Sequence, residues 1–367
     1  MPRFTRADGK IDVKSLSLAE IEAELTGMGS ERFRALQVYK WLWQRSVRSF
    51  SEMTNIAKGV REMLDERFYI AWLDVVGVQK SVDGTMKFLW QTEDGFRIES
   101  VLIPDDDRMT LCVSTQVGCA MACTFCLTGD LGLKRHLRPA EIVNQPLQVR
   151  AHIADGMRIS NVVMMGMGEP LHNIDNLIPA LETYLSEDAL GFSHRRITVS
   201  TVGLLPQMQR LTEETPVNLA VSLNATTEEQ RRQVMPISRK YSMAELLDTC
   251  RKLPIAKAKR ITFEYVMMAG FNDSMEDAAR LVKLMRGVKS KVNLIPYNEN
   301  PDRDIKRPPE ERVKAFQHLL VTHGIQASVR ITRGRDISAA CGQLGKADAA
   351  TAVPIVEELR PERIRHA

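Results

Sequence analysis

The stretch Thr110-Leu111-Cys112-Val113-Ser114-Thr115-Gln116-Val117-Gly118-Cys119-Ala120-Met121-Ala122-Cys123-Thr124-Phe125-Cys126 decides how this chain is read. Residues 110–114 predict a β-strand. The loop directly after it carries C-x3-C-x2-C at Cys119, Cys123 and Cys126. Three thiolates so close in sequence can wrap one face of a metal ion or of a cluster. A structural zinc ion is closed by four ligands. His136 could supply the fourth, but the spacing is not a usual zinc pattern. A [4Fe–4S] cluster held by three cysteines fits better, because it leaves one iron open to an exogenous ligand.

Working outward, strand and helix patterns alternate downstream of this loop. Strands are expected at 161–165, 196–201, 217–223, 260–267, 291–296 and 327–332, with helical patterns between them. Capping boxes, in which a Ser or Thr and an acidic residue three positions on satisfy orphan donors, are expected at Thr226…Glu229 and Ser274…Asp277. This βαβ rhythm argues for a parallel sheet. About seven such units would close, or partly close, into a barrel with its active residues at the C-terminal strand ends. Upstream, Met86–Trp90 and Phe96–Ile103 read as a hairpin turning at Glu93-Asp94-Gly95. Residues up to about 70 read as helical, with a capping box at Ser17…Glu20. A second amphipathic helix runs through Phe33, Leu36, Val38, Tyr39, Leu42 and Trp43, with Arg32, Arg34, Lys40, Arg45 and Arg48 interleaved. That basic face reads either as a solvated surface or as an RNA contact.

The chain has 367 residues, which suggests about two domains at roughly 150 residues each, or a barrel with a small partner. Hydrophobic content of 44% and charged content of 26% exclude a disordered chain or a rod. No apolar run approaches the roughly 18 residues of a membrane span. The N-terminus lacks the apolar core of a secretory signal, so the cytoplasm is expected. A net charge of +4 permits a nucleic-acid partner without demanding one. Cys250 falls in a helical pattern at 244–253 and reads as a small core residue.

Two further stretches complete the reading. One is Val163-Met164-Met165-Gly166-Met167-Gly168-Glu169-Pro170, which by itself is a tight turn after a strand. The other is Arg330-Ile331-Thr332-Arg333-Gly334-Arg335-Asp336-Ile337-Ser338-Ala339-Ala340-Cys341-Gly342-Gln343-Leu344. Small residues flank Cys341, so its loop can approach another atom closely. Arg333 and Arg335 are expected to favour its thiolate. The cysteine triplet after a barrel strand resembles the radical S-adenosylmethionine (SAM) enzymes. The C-terminal stretch is similar to the signature of the RlmN/Cfr family of RNA adenine methyltransferases, and the helical N-terminal module is more like the RlmN branch.

That resemblance implies an α/β fold: a partial (βα) barrel of the radical SAM type with a helical N-terminal accessory domain and a linking β-hairpin. The expected limits are 1–75 for an RNA-binding accessory domain, 76–104 for the hairpin, 105–345 for the barrel with its reactive-Cys loop, and 346–367 for a tail. It implies a [4Fe–4S] cluster on Cys119, Cys123 and Cys126. It also implies SAM contacts from Gly168, Glu169, Ser200, Ser222, Leu223, Asn224 and Asn298, with the Glu169 carboxylate accepting the SAM ammonium. Cys341 would carry a methyl group from one SAM, and a radical made from a second SAM would activate it to add to adenine. Cys112 would then resolve the adduct through a Cys112–Cys341 disulfide, with Glu99 handling a proton or holding the base. The implied substrates are an adenosine of 23S rRNA, methylated at C2, and the adenosine 3′ of the tRNA anticodon, with Lys134-Arg135-His136-Leu137-Arg138 and the N-terminal module on phosphates. A low-potential donor such as flavodoxin or ferredoxin would supply electrons. Two departures from the family pattern stand out: residues 300–309 are short where many members carry a longer loop, and Asn224 replaces a common histidine. The competing readings are C8 methylation of the Cfr type and a non-catalytic RNA-binding protein with a structural metal.

Overall fold

The computed structural model describes residues 4–105, 108–154, 157–256 and 258–345. The tail expected at 346–367 lies outside the described residues. One ten-stranded sheet organises the described chain, and its strands lie side by side in sequence order. They are β1 (Asp74–Lys80), β2 (Met86–Gln91), β3 (Arg97–Asp105), β4 (Arg108–Cys112), β5 (Asn161–Met164), β6 (Ile197–Thr201), β7 (Asn218–Ser222), β8 (Ile261–Met267), β9 (Ser290–Pro296) and β10 (Ala327–Val329). From β1 to β4 each neighbour is antiparallel. From β4 to β10 every neighbour is parallel. The two end strands, β1 and β10, are not paired with each other, so the barrel is partial.

Helices α1 (Leu18–Gly27), α2 (Arg34–Trp43) and α3 (Lys58–Arg67) form the N-terminal module. The parallel strands are joined by α4 (Pro139–Val149), α5 (Ile174–Leu185), α6 (Leu205–Glu214), α7 (Glu228–Val234), α8 (Met243–Lys252), α9 (Met275–Leu284) and α10 (Glu310–Thr322). Parallel strands covered on both faces read as continuous apolar runs. Val162, Met164, Ile197, Val199, Ala220, Val221, Phe263 and Tyr265 are accordingly all fully buried.

The hairpin turns where expected, with Gly95 at φ 84° donating back to the Thr92 carbonyl. It is not a detached linker, however. With β1 it forms a meander hydrogen-bonded to β4, so the segment before the barrel extends the barrel's own sheet. The capping boxes at Ser17 and Ser274 are present. The one at Thr226 is not: α7 is capped by Thr227 on the Gln230 N–H, and the Thr226 hydroxyl instead bonds Asp277 at 2.5 Å. Cys250 is buried in α8, as a core residue should be.

The N-terminal module docks through a buried polar contact. Lys14, 2% exposed, donates to Asn144 of α4 at 2.9 Å and lies 3.5 Å from the Trp72 ring centroid. Cation–π contact and one neutral acceptor take the place of a carboxylate for its head group.

Candidate active site

β4 ends at Cys112. The chain then makes a short hairpin, Gln116–Gly118 against Leu133–His136, whose far end carries Cys119, Cys123, Cys126 and the single helical turn Leu127–Asp130. Gly118 stands at φ 75°, and a Cβ there would fall 1.8 Å from the Gly132 carbonyl oxygen. Only glycine fits this crossing. Backbone bonds fix the loop: Cys119 N–H to Gly132, Cys126 N–H to Cys123 and Thr124 N–H to Val234, each at 3.1 Å.

All three thiols line one cavity, together with Gly166, Gly168, Glu169, Ser200, Ser222, Asn224 and Glu264. Burial pushes the Cys119 thiol up to about 12 and the Cys123 thiol higher still, and neighbouring thiolates and Glu169 add to it. A cation bound among them would draw such thiols into the thiolate form. Among the described residues no three His, Cys, Asp or Glu side chains are gathered as tightly as one metal ion requires. His136 is no fourth ligand: its Nδ1 faces the Gln116 amide at 2.9 Å and it does not line the cavity.

The glycines after β5 allow close approach. A Cβ on Gly166 would lie 2.8 Å from the Ser114 backbone nitrogen, and one on Gly168 would lie 2.5 Å from the Gln116 Cβ. The Gln116 side-chain Oε1 accepts the Glu169 N–H at 2.8 Å. Glu169, 3% exposed, accepts N–H bonds from Leu171 at 3.1 Å and Val202 at 2.9 Å. Burial still raises its carboxyl to about 7, against the pull of the Thr201 hydroxyl and those two amides. Ser200 and Ser222 come from β6 and the end of β7. Asn224, at φ 56°, accepts the Val266 N–H at 2.8 Å and directs its amide to the Met235 sulfur. Leu223 packs into the core with no exposure and is not part of the cavity wall.

A second cavity adjoins the first, sharing Cys126, Gly166 and Cys341, and is further lined by Cys112, Asn298 and Arg330. The two remaining cysteines of the family reading therefore meet at one site, 229 positions apart in the chain (341 minus 112). Cys112 is buried, and its thiol is pushed up to about 12. Cys341 keeps solvent exposure, yet the protein packed around it also raises its thiol. In both cases Arg330 is the charge that pulls the thiol back down. This corrects the expectation for Arg333 and Arg335. β10 ends at Val329, so Arg330 stands at the strand end, while Arg333 reaches Asp105 at 3.8 Å.

The Cys341 loop is tied to distant parts of the chain. Asp336 accepts from the Ser81 hydroxyl at 2.6 Å and the Val82 N–H at 3.1 Å, and Asp83 accepts the Gly334 N–H at 2.9 Å. Asn298 donates to the Cys341 carbonyl at 3.1 Å and accepts from the Thr332 hydroxyl at 3.0 Å. Glu99, 2% exposed, accepts the Gly345 N–H at 2.5 Å and faces Lys87 Nζ at 3.4 Å. It lines neither cavity in this arrangement.

Residues 113–282 match the radical SAM superfamily, and residues 11–70 match the ribosomal RNA large subunit methyltransferase N-terminal domain. The chain is 52% identical over 343 residues to the dual-specificity RNA methyltransferase RlmN of Pelobacter propionicus, covering 93% of this chain and 98% of that one. It is 51% identical to the protein of the same name from Geobacter sulfurreducens, covering 93% and 94%. The chain belongs to the RlmN family. A crystal structure of a radical SAM methyltransferase from Sphaerobacter thermophilus matches with a TM-score of 0.85 at 42% identity, covering 90% of this chain and 98% of that one. This RlmN-family chain is thus a radical SAM RNA methyltransferase, and its cofactors are a [4Fe–4S] cluster and SAM.

The basic segments of this enzyme are engaged more internally than the sequence suggests. Arg135 pairs with Asp94 at 2.6 Å and Glu141 at 2.8 Å, and Arg138 pairs with Glu93 at 3.3 Å. The pairs with Asp94 and Glu93 staple the cysteine-loop hairpin and the start of α4 to the β2–β3 turn. Arg32 and Lys40 pair with Glu22 and Asp188. Lys134 and Arg45 are exposed, and their side chains have no partner among the described residues. Sequence reading missed Gln116, Lys87, Glu264 and Arg330. Arg330 fell inside the strand expected at 327–332, and only its observed end at Val329 brings that charge to the site.

Proposed function

We propose that the enzyme methylates C2 of an adenosine in 23S rRNA and of the adenosine 3′ of the tRNA anticodon. The joint placement of Cys112, Cys341 and Arg330 on a cavity adjoining the three loop cysteines supports methylation through Cys341, and the kinship with RlmN proteins favours C2 over C8. Bound at Cys119, Cys123 and Cys126, the cluster supplies the electron that turns SAM into a radical source. Glu169 receives the SAM ammonium as a buried charge-assisted pair. Gly168, Ser200 and Ser222 hold the rest of the molecule, and Asn224 shapes that wall, while Leu223 stays in the core. Asn298, with both ends of its amide engaged, tethers the Cys341 loop and reaches SAM only when those bonds exchange.

Cys341 carries the transferred methyl group as a thioether, and Arg330 favours the thiolate that attacks. Once the carbon is joined to adenine, the adduct would have to give up one electron, for which the oxidised cluster is the available acceptor, and one ring proton. Glu99, bound to Gly345 and Lys87, would handle that proton or hold the base only after those bonds exchange. The Cys112 thiolate then attacks the Cys341 sulfur. An S–S bond forms, the bond from sulfur to the new methyl carbon breaks, and that carbon leaves with the electron pair and is protonated. Two electrons from a thiol reductant reopen the disulfide. A flavodoxin- or ferredoxin-like protein fits as donor to the cluster. The N-terminal module at 1–75, with Lys134 and Arg45, contacts RNA phosphates. Reduced thiols and an RNA substrate agree with the cytoplasm.

Mass spectrometry of 23S rRNA and tRNA from a strain lacking the gene tests the reading. Loss of 2-methyladenosine from both RNAs is the expected result. Loss of an 8-methyl group would assign the Cfr-type reaction instead.

A further inference from the structure

Arg231, on α7, is 1% exposed, and every hydrogen bond it makes goes to a neutral acceptor. Its Nε donates to the Leu223 carbonyl at 3.3 Å and one Nη to the Ser238 hydroxyl at 2.9 Å. The other Nη reaches the carbonyls of Val202 at 2.7 Å and Ser222 at 3.3 Å. Among the described residues no carboxylate lies within ion-pair distance of it. Glu228, one turn earlier, directs an oxygen to the N–H groups of Met243 and Ala244 at 2.6 and 3.2 Å. A guanidinium buried without a carboxylate in contact is expensive, because neutral acceptors replace only part of its hydration. Structures keep such a charge where an anion completes the site.

Its position says which anion. Val202 and Ser222, whose carbonyls it holds, are part of the cluster cavity wall. Cys123 packs against Val234 and Met235 at the end of the same helix, and the Thr124 N–H donates to the Val234 carbonyl. We propose that Arg231 is the fixed counter-charge of the iron–sulfur cluster, set behind the cavity wall to stabilise the cluster's reduced state. A cluster held by three thiolates is anionic and becomes more so when it takes one electron from its low-potential donor. A buried cation close by stabilises the reduced form more than the oxidised form, and the low-dielectric surroundings strengthen that difference. Burial lowers the guanidinium to about 10, and Cys123 restores it more than Glu228 does. Arg231 touches neither SAM nor RNA and acts as a positioning residue through its charge. The inference rests on the cluster assignment, which iron and sulfide analysis of the wild-type enzyme checks separately.

The test compares Arg231→Gln with Arg231→Lys in anaerobically reconstituted full-length enzyme. Both side chains can donate to the strand-end carbonyls, and only one is charged. The readout is the cluster's one-electron midpoint, followed by EPR during a redox titration. At a fixed potential, Arg231→Gln should hold about tenfold less reduced cluster than Arg231→Lys, which is about 59 mV for a one-electron couple. Arg231→Lys should stay within about threefold of wild type. Loading of the Lys variant alone would support the same conclusion, since charge would then be required for assembly. Equal midpoints in the two variants would overturn the proposal, as would failure of both to load, because hydrogen-bond geometry rather than charge would then be the requirement.

Discussion

The loop of Cys119, Cys123 and Cys126 and the loop of Cys341 meet at one pair of cavities and are built in opposite ways. The first is largely local. Its hairpin and one-turn helix lie between Gln116 and His136. Backbone N–H groups leave that span at Gln116 to Met167, Thr124 to Val234 and Leu127 to Gly342, while Arg303 donates to the Thr124 and Cys126 carbonyls. The second is held from outside. Its ties run to Ser81 and Asp83 in the β1–β2 turn, to Lys87 and Glu99 on β2 and β3, to Asn298 after β9, and to Leu127 and Thr128 beside the cluster cysteines. Most of these are single side-chain bonds, and each contributes only modestly to stability. They can exchange one at a time, whereas the hairpin would have to unfold. The contrast matches the proposed mechanism, in which one loop would keep a cofactor in place and the other would present Cys341 first to SAM, then to adenine, then to Cys112.

Substitutions break this comparison unequally. The largest effect is expected from Cys119→Ala, Cys123→Ala or Cys126→Ala, each of which should abolish cluster assembly and all methylation. Iron analysis beside a turnover assay checks this, and normal iron with normal turnover in any one of them would remove that residue from the ligand set. Next comes Glu169, whose carboxyl is raised to about 7. It accepts the SAM ammonium only as the carboxylate, which is the form present above that value. SAM affinity should therefore fall about tenfold per pH unit on acidification below pH 7. Glu169→Gln should bind weakly with a flat profile, and titration of SAM at several pH values distinguishes the two. The smallest effect is expected from Asp336→Ala, which cuts two ties of the Cys341 loop and none of the cluster loop. Iron content should be unchanged, turnover should fall several-fold, and alkylation of Cys341 should quicken. An unaltered alkylation rate would mean that the ties do not restrain the loop.

The same contrast explains what the sequence made legible. Cys119, Cys123 and Cys126 could be read as one set because their spacing is contiguous and follows a strand, and all three line one cavity. The parallel strands could be read because buried apolar runs announce themselves, and their observed ends fall within a few residues of expectation. Contacts between distant segments left no such trace. Nothing near Asp336 points to Ser81, and nothing near Arg135 points to Asp94. Arg330 could not be told from Arg333 without knowing that β10 stops at Val329, since one residue of strand decides which guanidinium faces the thiols. Leu223 shares a motif with Ser222 but faces the core, because successive strand residues alternate sides. The glutamate at 99 matched the family pattern, yet only the fold shows it gripping Gly345.

The central claim is that Cys341 carries the carbon and Cys112 releases it. Cys112→Ala should still load its cluster, still receive the methyl group and still add to adenine, then stall as a protein–RNA adduct linked through Cys341. Denaturing gels of this variant purified from cells, run with and without ribonuclease, give the most direct test. The account predicts a slow-migrating band that collapses on ribonuclease treatment and is absent from Cys341→Ala. A band that appears in Cys341→Ala and never in Cys112→Ala would contradict it.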